Sequence, residues 1–472
     1  MKDLTTRAAD NIRILAASMV EKAKSGHPGG AMGGADFVNI LYSEYLNYNP
    51  EDPRYPFRDR FFLDPGHMSA MLYSVLSLAG YFKMDELAAF RQWGSPTPGH
   101  PEVDVARGIE NTSGPLGQGH AMALGAAIAE RFLVARFGEW MAHKTYVFIS
   151  DGGIQEEVSQ GVGRIAGHLG LSNMIMFYDS NNIQLSTKVD EVSTEDIVAK
   201  YEAWGWNVIS IDGNDAAEIR QALNRAIAET EKPTLIVGHT LMGKGAVGKE
   251  GEDFSNKVST HGQPLSAAGG DTAKTIANLG GDPEKPFQIF KDVEELYARR
   301  REELKKWYAL RKEEESIWRA ANKELAAKLD QSGKAPDIDY AKINCGDNVA
   351  TRAASAAVLS YLAEHVENMI VASADLSNSD KTDGFLKKTH AMVKGDFTGR
   401  FLQPGVAEFT MACIMNGMAL HGGVIPACGT FFVFSDYMKP ACRSNTSGRT
   451  TRSAWARTVR RTNRSNTKHS CA

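Results

Sequence analysis

The chain has 472 residues, of which 43% are hydrophobic and 23% charged, with a formal net charge of −4. That length is enough for about three domains, and an ordinary apolar content fits a soluble globular enzyme. The near-balanced charge gives no reason to expect nucleic acid or an anionic membrane as partner.

In chain order, the opening "MKDLTTRAADNIRIL" mixes both charges and lacks the apolar core of a signal peptide, and no later stretch reaches about 18 consecutive apolar residues. A cytoplasmic chain is expected. "KTYVFIS" is too short for a helix and reads as a buried strand. Helix-like "QEEVSQGVGRIAGHLG" follows, then the strands "NMIMFYDS", "WNVISID" and "PTLIVGHT". Strands alternating with amphipathic stretches predict an α/β domain, a parallel sheet flanked by helices, over residues 1–300. A charged helical linker is expected over 301–340. A second, incomplete α/β domain is expected over 341–440, with "MIVASADLS" as a strand and "AEFTMACIMNGMALHGG" and "GTFFVFSDYMKP" as helices or helix starts. The five cysteines all lie at or beyond Cys345 without CxxC spacing, so neither a zinc site nor a disulfide framework is expected.

The last 31 residues, Cys442–Ala472, carry seven Arg and one Lys with no Asp or Glu. Only Trp455 and Val459 are sizeable apolar residues, so a basic, disordered tail is expected over 441–472. An RNA-binding tail has little support, because aromatic residues are nearly absent from it.

The first strand runs into Asp151. An unpaired buried carboxylate costs several kcal/mol, so a metal, a base or solvent must meet its charge. Asn181 lies thirty positions on, at the end of the next strand, and that interval matches one βαβ unit. The two residues are therefore expected on one edge of the sheet, where their side chains can converge. With the Ile183 carbonyl they make a hard-oxygen set suited to Mg²⁺ or Ca²⁺, completed by a bound diphosphate. On these residues alone, two strand-end polar groups capping helices are the commoner reading. "GHTLMGKG" nearly matches a phosphate-binding loop, but Gly245 follows Lys244 where a hydroxyl is needed. "GPLGQG" has the wrong glycine spacing for a dinucleotide fingerprint, yet it precedes a good helix whose first amides could receive an anion.

Ten stretches in order resemble the thiamine diphosphate-dependent transketolases: "KSGHPGG", "DPGHMSAMLYS", "TPGHPE", "TSGPLGQG", "SDGGIQEE", "FYDSNNI", "HGQPL", "SADLSNSD", "GVAEF" and "FFVFSDY". The resemblance runs from the N-terminus to about Pro440. It implies the thiamine diphosphate-binding fold and the reversible transfer of a two-carbon ketol group from a ketose phosphate to an aldose phosphate, as in the pentose phosphate pathway. It implies thiamine diphosphate and Mg²⁺ (or Ca²⁺) as cofactors, with Asp151, Asn181 and Ile183 on the metal. Gly114, Leu116, Gly152, Glu156, Asn181 and Asp375 match cofactor-contacting positions. Glu408 matches the glutamate that bonds the aminopyrimidine ring. Phe431, Phe434 and Tyr437 recur every three residues, a spacing that usually marks a core stripe; the resemblance makes them the aromatic pocket around the pyrimidine, with Phe434 stacking. His27, His67, His100 and His261 match imidazoles lining the substrate channel, and Arg352 and Ser379 match groups that grip the sugar phosphate.

In the family, each site forms between the first domain of one subunit and the second domain of its partner, so a homodimer is implied. Ser150 stands where the family has glycine, as does Glu157. Beyond Pro440 the resemblance fades, and the Arg/Ser/Thr-rich text there is what a shifted reading frame would produce. A truncated, inactive fragment keeping only the diphosphate and metal half-site is therefore the alternative to an active transketolase.

Overall fold

The computed structural model describes residues 2–443 and 455–459. Strands β1 (Arg60–Leu63), β2 (Thr145–Ser150), β3 (Met174–Ser180), β4 (Asn207–Asp212) and β5 (Thr234–His239) form a parallel sheet in the order β1-β2-β3-β5-β4. Strands β2 and β3 are almost entirely buried because helices cover both faces, which is why they read as continuous apolar runs. The helices that matter for the site are α1 (Leu4–Ala23), α2 (Gln118–Phe137), the short α3 (Asp151–Gln155), α4 (Glu157–Leu169) and the long α5 (Lys291–Ala321).

Strand β1 escapes a periodicity reading because it has only four residues, begins on an arginine and lies between two aspartates. Arg60 is nonetheless buried, held with Arg58 against Glu110 at 3.2 and 2.7 Å. The chain after β5 makes turns rather than a helix, and Lys244 reaches Asp36 at 3.1 Å. Asp36 also pairs with buried Arg13. The lysine of the near phosphate-loop motif thus neutralises an internal carboxylate.

The second unit contains α6 (Thr351–His365), β6 (Met369–Ser373), β7 (Phe401–Leu402), α7 (Glu408–His421), β8 (Ile425–Phe431), α8 (Ser435–Arg443) and β9 (Trp455–Val459). Its sheet is parallel, in the order β7-β6-β8-β9. "GTFFVF", expected as a helix start, instead ends β8 and passes through a 3₁₀ turn into α8. The stretch expected as a disordered tail also differs at β9, which pairs along β8 from Ala427↔Trp455 to Phe431↔Val459. The free amides and carbonyls of the β8 edge provide the template for that strand. The rest of the tail lies outside the described residues.

Helices α2 and α7 join the two units with their backbones in contact. A Cβ on Gly125 would run into the Ile414 carbonyl, and one on Gly417 into the Met122 carbonyl. Beside this crossing, buried His143 and His421 stack, with their Nε2 atoms 3.1 Å apart.

Candidate cofactor and substrate site

Register decides where the carboxylate goes. Ser150 of β2 pairs with Asp179 of β3, so Asp151 and Asn181 leave adjacent strand ends on the same edge. Ser150 caps the turn, its hydroxyl accepting from the Gly153 amide at 3.3 Å. Asp151 is buried; its Oδ2 accepts the Asn181 amide at 3.1 Å and its Oδ1 accepts the Tyr178 hydroxyl at 2.5 Å. Asn182 adopts φ 62°, which curls the next amides back toward the same carboxylate. Burial raises the Asp151 pKa, and the Tyr178 hydroxyl and these amides oppose the rise. Asn181 Oδ1 accepts the Ile183 amide at 3.0 Å.

The donor chemistry fits a hard divalent cation: one carboxylate, one amide oxygen and a nearby backbone carbonyl. Among the described residues no group of three His, Cys, Asp or Glu is placed to hold a metal. An ion at Asp151 would therefore rest on neutral oxygens and on those of its ligand, as a diphosphate supplies. A cavity of about 380 Å³ opens beside it, lined by Asp151, Tyr178, Ser180, Asn182, Asp190 and His239.

Close glycine contacts bring the other loops in. A Cβ on Gly152 would lie 3.0 Å from Leu116 Cδ1, so the Asp151 turn and the "GPLGQG" loop touch. Gly117, at φ 79°, lies against Val158 and Glu156, and only glycine takes that conformation without strain. Glu156 itself is exposed.

Three imidazoles form a cluster: His27 to His67 at 5.1 Å, His67 to His261 at 5.3 Å and His27 to His261 at 5.8 Å between ring centres. Gly262 sits against both His27 and Leu185 of the metal-loop segment, and the backbone of Ile183 bonds His261. Burial, then the neighbouring His261, Arg91 and His100, push His27 down to about 4. His67 is driven well below its usual value by burial first. Burial likewise lowers His100 and His261. All four are neutral near pH 7. The buried Nδ1 atoms of His27 and His261 have no protein partner. Left unpaired, each such atom costs about 1–3 kcal/mol, a cost that a polar ligand bonded to it offsets. His100 lies beside the "GPLGQG" loop, its Cδ2 4.0 Å from where a Gly114 Cβ would lie.

The residues of the second unit form a separate group. Arg352 Nη1 lies 3.4 Å from the Ser379 carbonyl, so that expected pair does meet. Phe431, Phe434 and Tyr437 follow one another at 6.2 and 6.1 Å between ring centres, although they span a strand end, a 3₁₀ turn and a helix rather than one helical face. Asp375 is exposed at φ 61°. Glu408 opens α7, and two residues later the Thr410 hydroxyl reaches the Val158 carbonyl at 3.3 Å. Among the described residues no hydrogen bond or ring contact joins this group to the Asp151 and histidine group. Sequence reasoning did not single out Ser150 as a cap, nor Tyr178 as the hydrogen-bond partner of Asp151. Tyr178 carried a signal, since a hydroxyl inside a buried strand needs an acceptor.

Two family models account for most of the chain. The model described as "Transketolase, thiamine diphosphate binding domain" matches residues 4–336, and "Transketolase, pyrimidine binding domain" matches 347–460. The chain belongs to the transketolase family. The second match runs twenty residues past Pro440, where the sequence resemblance had been expected to end. Among relatives, the transketolase of Staphylococcus epidermidis is 40% identical over 448 residues, covering 92% of this chain and 66% of that protein. Transketolase 2 of Xanthobacter flavus is 42% identical over 450 residues, covering 92% and 64%. The solved transketolase of Leishmania mexicana superposes with a TM-score of 0.89 at 36% identity, covering 94% of this chain and 66% of that one. The Campylobacter jejuni transketolase gives 0.84 at 36% identity. The chain thus spans about two thirds of the length of these relatives. Its thiamine diphosphate-binding fold of helix-flanked parallel sheets is that of the transketolases. No helix among the described residues is long and apolar enough to cross a membrane.

Proposed function

We propose that this chain serves ketol transfer between a ketose phosphate and an aldose phosphate, with thiamine diphosphate and Mg²⁺ or Ca²⁺ as cofactors. The observation that carries the reading is the meeting of the Asp151–Asn181 turn with the cluster of His27, His67 and His261, through Ile183 and Leu185. Asp151, Asn181 and the Ile183 carbonyl hold the metal, and the loop with Gly114 and Leu116 faces Gly152 across the cofactor position, near Glu156. When bound, the cofactor supplies a thiazolium carbon that adds to a carbonyl and stores the transferred unit's electron pair. Glu408 holds a proton at the aminopyrimidine ring, and Phe434 stacks on that ring between Phe431 and Tyr437, with Asp375 nearby. Neutral imidazoles at His27, His67, His100 and His261 accept and return protons at sugar hydroxyls. Arg352, beside Ser379, grips the substrate phosphate with its planar fork.

The exposure of Glu408's neighbour Val406, at 77%, and of Tyr437, at 62%, supports a site completed by a second copy of the chain, and hence a homodimer. Calorimetry with thiamine diphosphate and Mg²⁺, followed by a coupled assay with xylulose 5-phosphate and ribose 5-phosphate, tests the reading. Saturable, metal-dependent binding and turnover are expected; absence of cofactor binding overturns it. Binding without turnover would instead favour a fragment that keeps only the diphosphate and metal half-site.

A further inference from the structure

Helix α2 begins at Gln118, within the "GPLGQG" stretch, and its first amides look like a seat for the cofactor's phosphates. They are already taken. Asp64, fully buried just past the end of β1, accepts the Gly117 amide on Oδ2 at 3.0 Å and the His120 amide on Oδ1 at 3.1 Å. No Lys or Arg among the described residues forms an ion pair with this carboxylate, so the helix N-terminus is its chief electrostatic partner. Two glycines leave room for it. A Cβ on Gly153 would lie 2.5 Å from Asp64 Oδ2, and one on Gly119 3.2 Å from Oδ1. The same strand end is strapped to the loop a second time, because Ser113 Oγ and Asn111 Nδ2 both donate to the Leu63 carbonyl.

We propose that Asp64 is a positioning residue for the cofactor: an internal anion that occupies the N-terminus of α2 and fixes the loop carrying Gly114 and Leu116 against the Asp151 turn before any ligand arrives. This rests on the cofactor reading given above. The carboxylate touches neither metal nor substrate in this scheme. It takes up the helix's positive end, so a diphosphate is directed to the Asp151–Asn181 edge. It also ties the three segments that meet at the site, through Gly117, Gly153 and the turn leading to His67. Ionised, a carboxylate accepts both amides at once; an amide in its place offers one oxygen and turns an N–H donor toward the other amide.

The test compares the wild-type chain with Asp64→Asn. Calorimetric Kd for thiamine diphosphate with Mg²⁺ is expected to rise about 10-fold or more, and the KM for the cofactor with it. The kcat at saturating cofactor should stay within about two-fold, whereas damage to the fold would lower kcat and leave the Kd of the folded fraction unchanged. Wild-type affinity in Asp64→Asn overturns the proposal. A second measurement does not depend on that variant folding: residue-resolved hydrogen exchange on the wild-type chain without cofactor should find the Gly117 and His120 amides protected. Free exchange there, with protection appearing only once cofactor is added, also overturns it. If the wild-type chain binds no thiamine diphosphate, the cofactor reading fails and this role fails with it, an outcome distinct from binding that is indifferent to Asp64.

Discussion

The two units treat their candidate residues in opposite ways. In the first, Asp151 is buried and the histidine cluster is half-buried, set by strand ends and crossing loops whose glycines permit close contact. In the second, Asp375, Arg352 and Tyr437 are exposed, and Phe434 is only half-covered. A binding surface built on buried strand ends holds its geometry from within one chain; one built on exposed side chains needs a further surface to exclude water. The contrast separates candidate residues held from within the chain from candidate residues that lie open to solvent.

The strongest way to break this contrast is to remove the buried carboxylate. Asp151→Ala should weaken thiamine diphosphate and Mg²⁺ binding more than about 100-fold in calorimetry, because it deletes the charged ligand of the proposed set. Unchanged affinity would refute the metal assignment. Next comes the joint between the units: Gly125→Ala places a methyl against the Ile414 carbonyl and should cost about 3 kcal/mol in urea unfolding. A neutral result would mean the helices separate without penalty. On the exposed side, Phe434→Ala should lower affinity for thiamine diphosphate about 10-fold while leaving Mg²⁺-dependent binding of inorganic diphosphate unchanged. Equal losses for both ligands would erase the distinction between the halves.

The smallest effect is a pH slope. His27 has a folded-state pKa of about 4, below its unfolded value near 6.5, so the unfolded chain takes up the proton first as pH falls. Stability present above pH 6.5 is then lost progressively toward pH 4. Urea midpoints at pH 7, 6 and 5 should fall in the wild-type chain and fall less steeply in His27→Gln. Parallel slopes would show that this imidazole is not the one responsible.

Much of the first unit was legible in the sequence: β2, β3 and β5 are buried strands that read as near-continuous apolar runs, and β4, at the sheet edge, alternates buried Ile209 and Ile211 with exposed Ser210 and Asp212. Strand β1 was not, since the burial of Arg60 depends on Glu110, fifty residues away. That Asp151 and Asn181 leave neighbouring strand ends was legible from spacing, as one βαβ interval fixes which strands are adjacent. Asp64 was hidden inside a quoted motif, because nothing local reveals that its partners are the amides of Gly117 and His120. In the second unit, the aromatic ladder was found by its period of three, but for a reason that does not apply: the rings follow one another across a change of backbone conformation. The expectation for the tail rested on composition, which does not register an open sheet edge able to recruit β9.

The crossing of α2 and α7 has one more consequence. Helix α2 starts at the "GPLGQG" loop and α7 starts at Glu408, and midway along they meet main chain to main chain, with no side chain between them to absorb a shift. A side chain at either glycine would force the two backbones apart, so the placement of one helix start relative to the other depends on both positions staying bare.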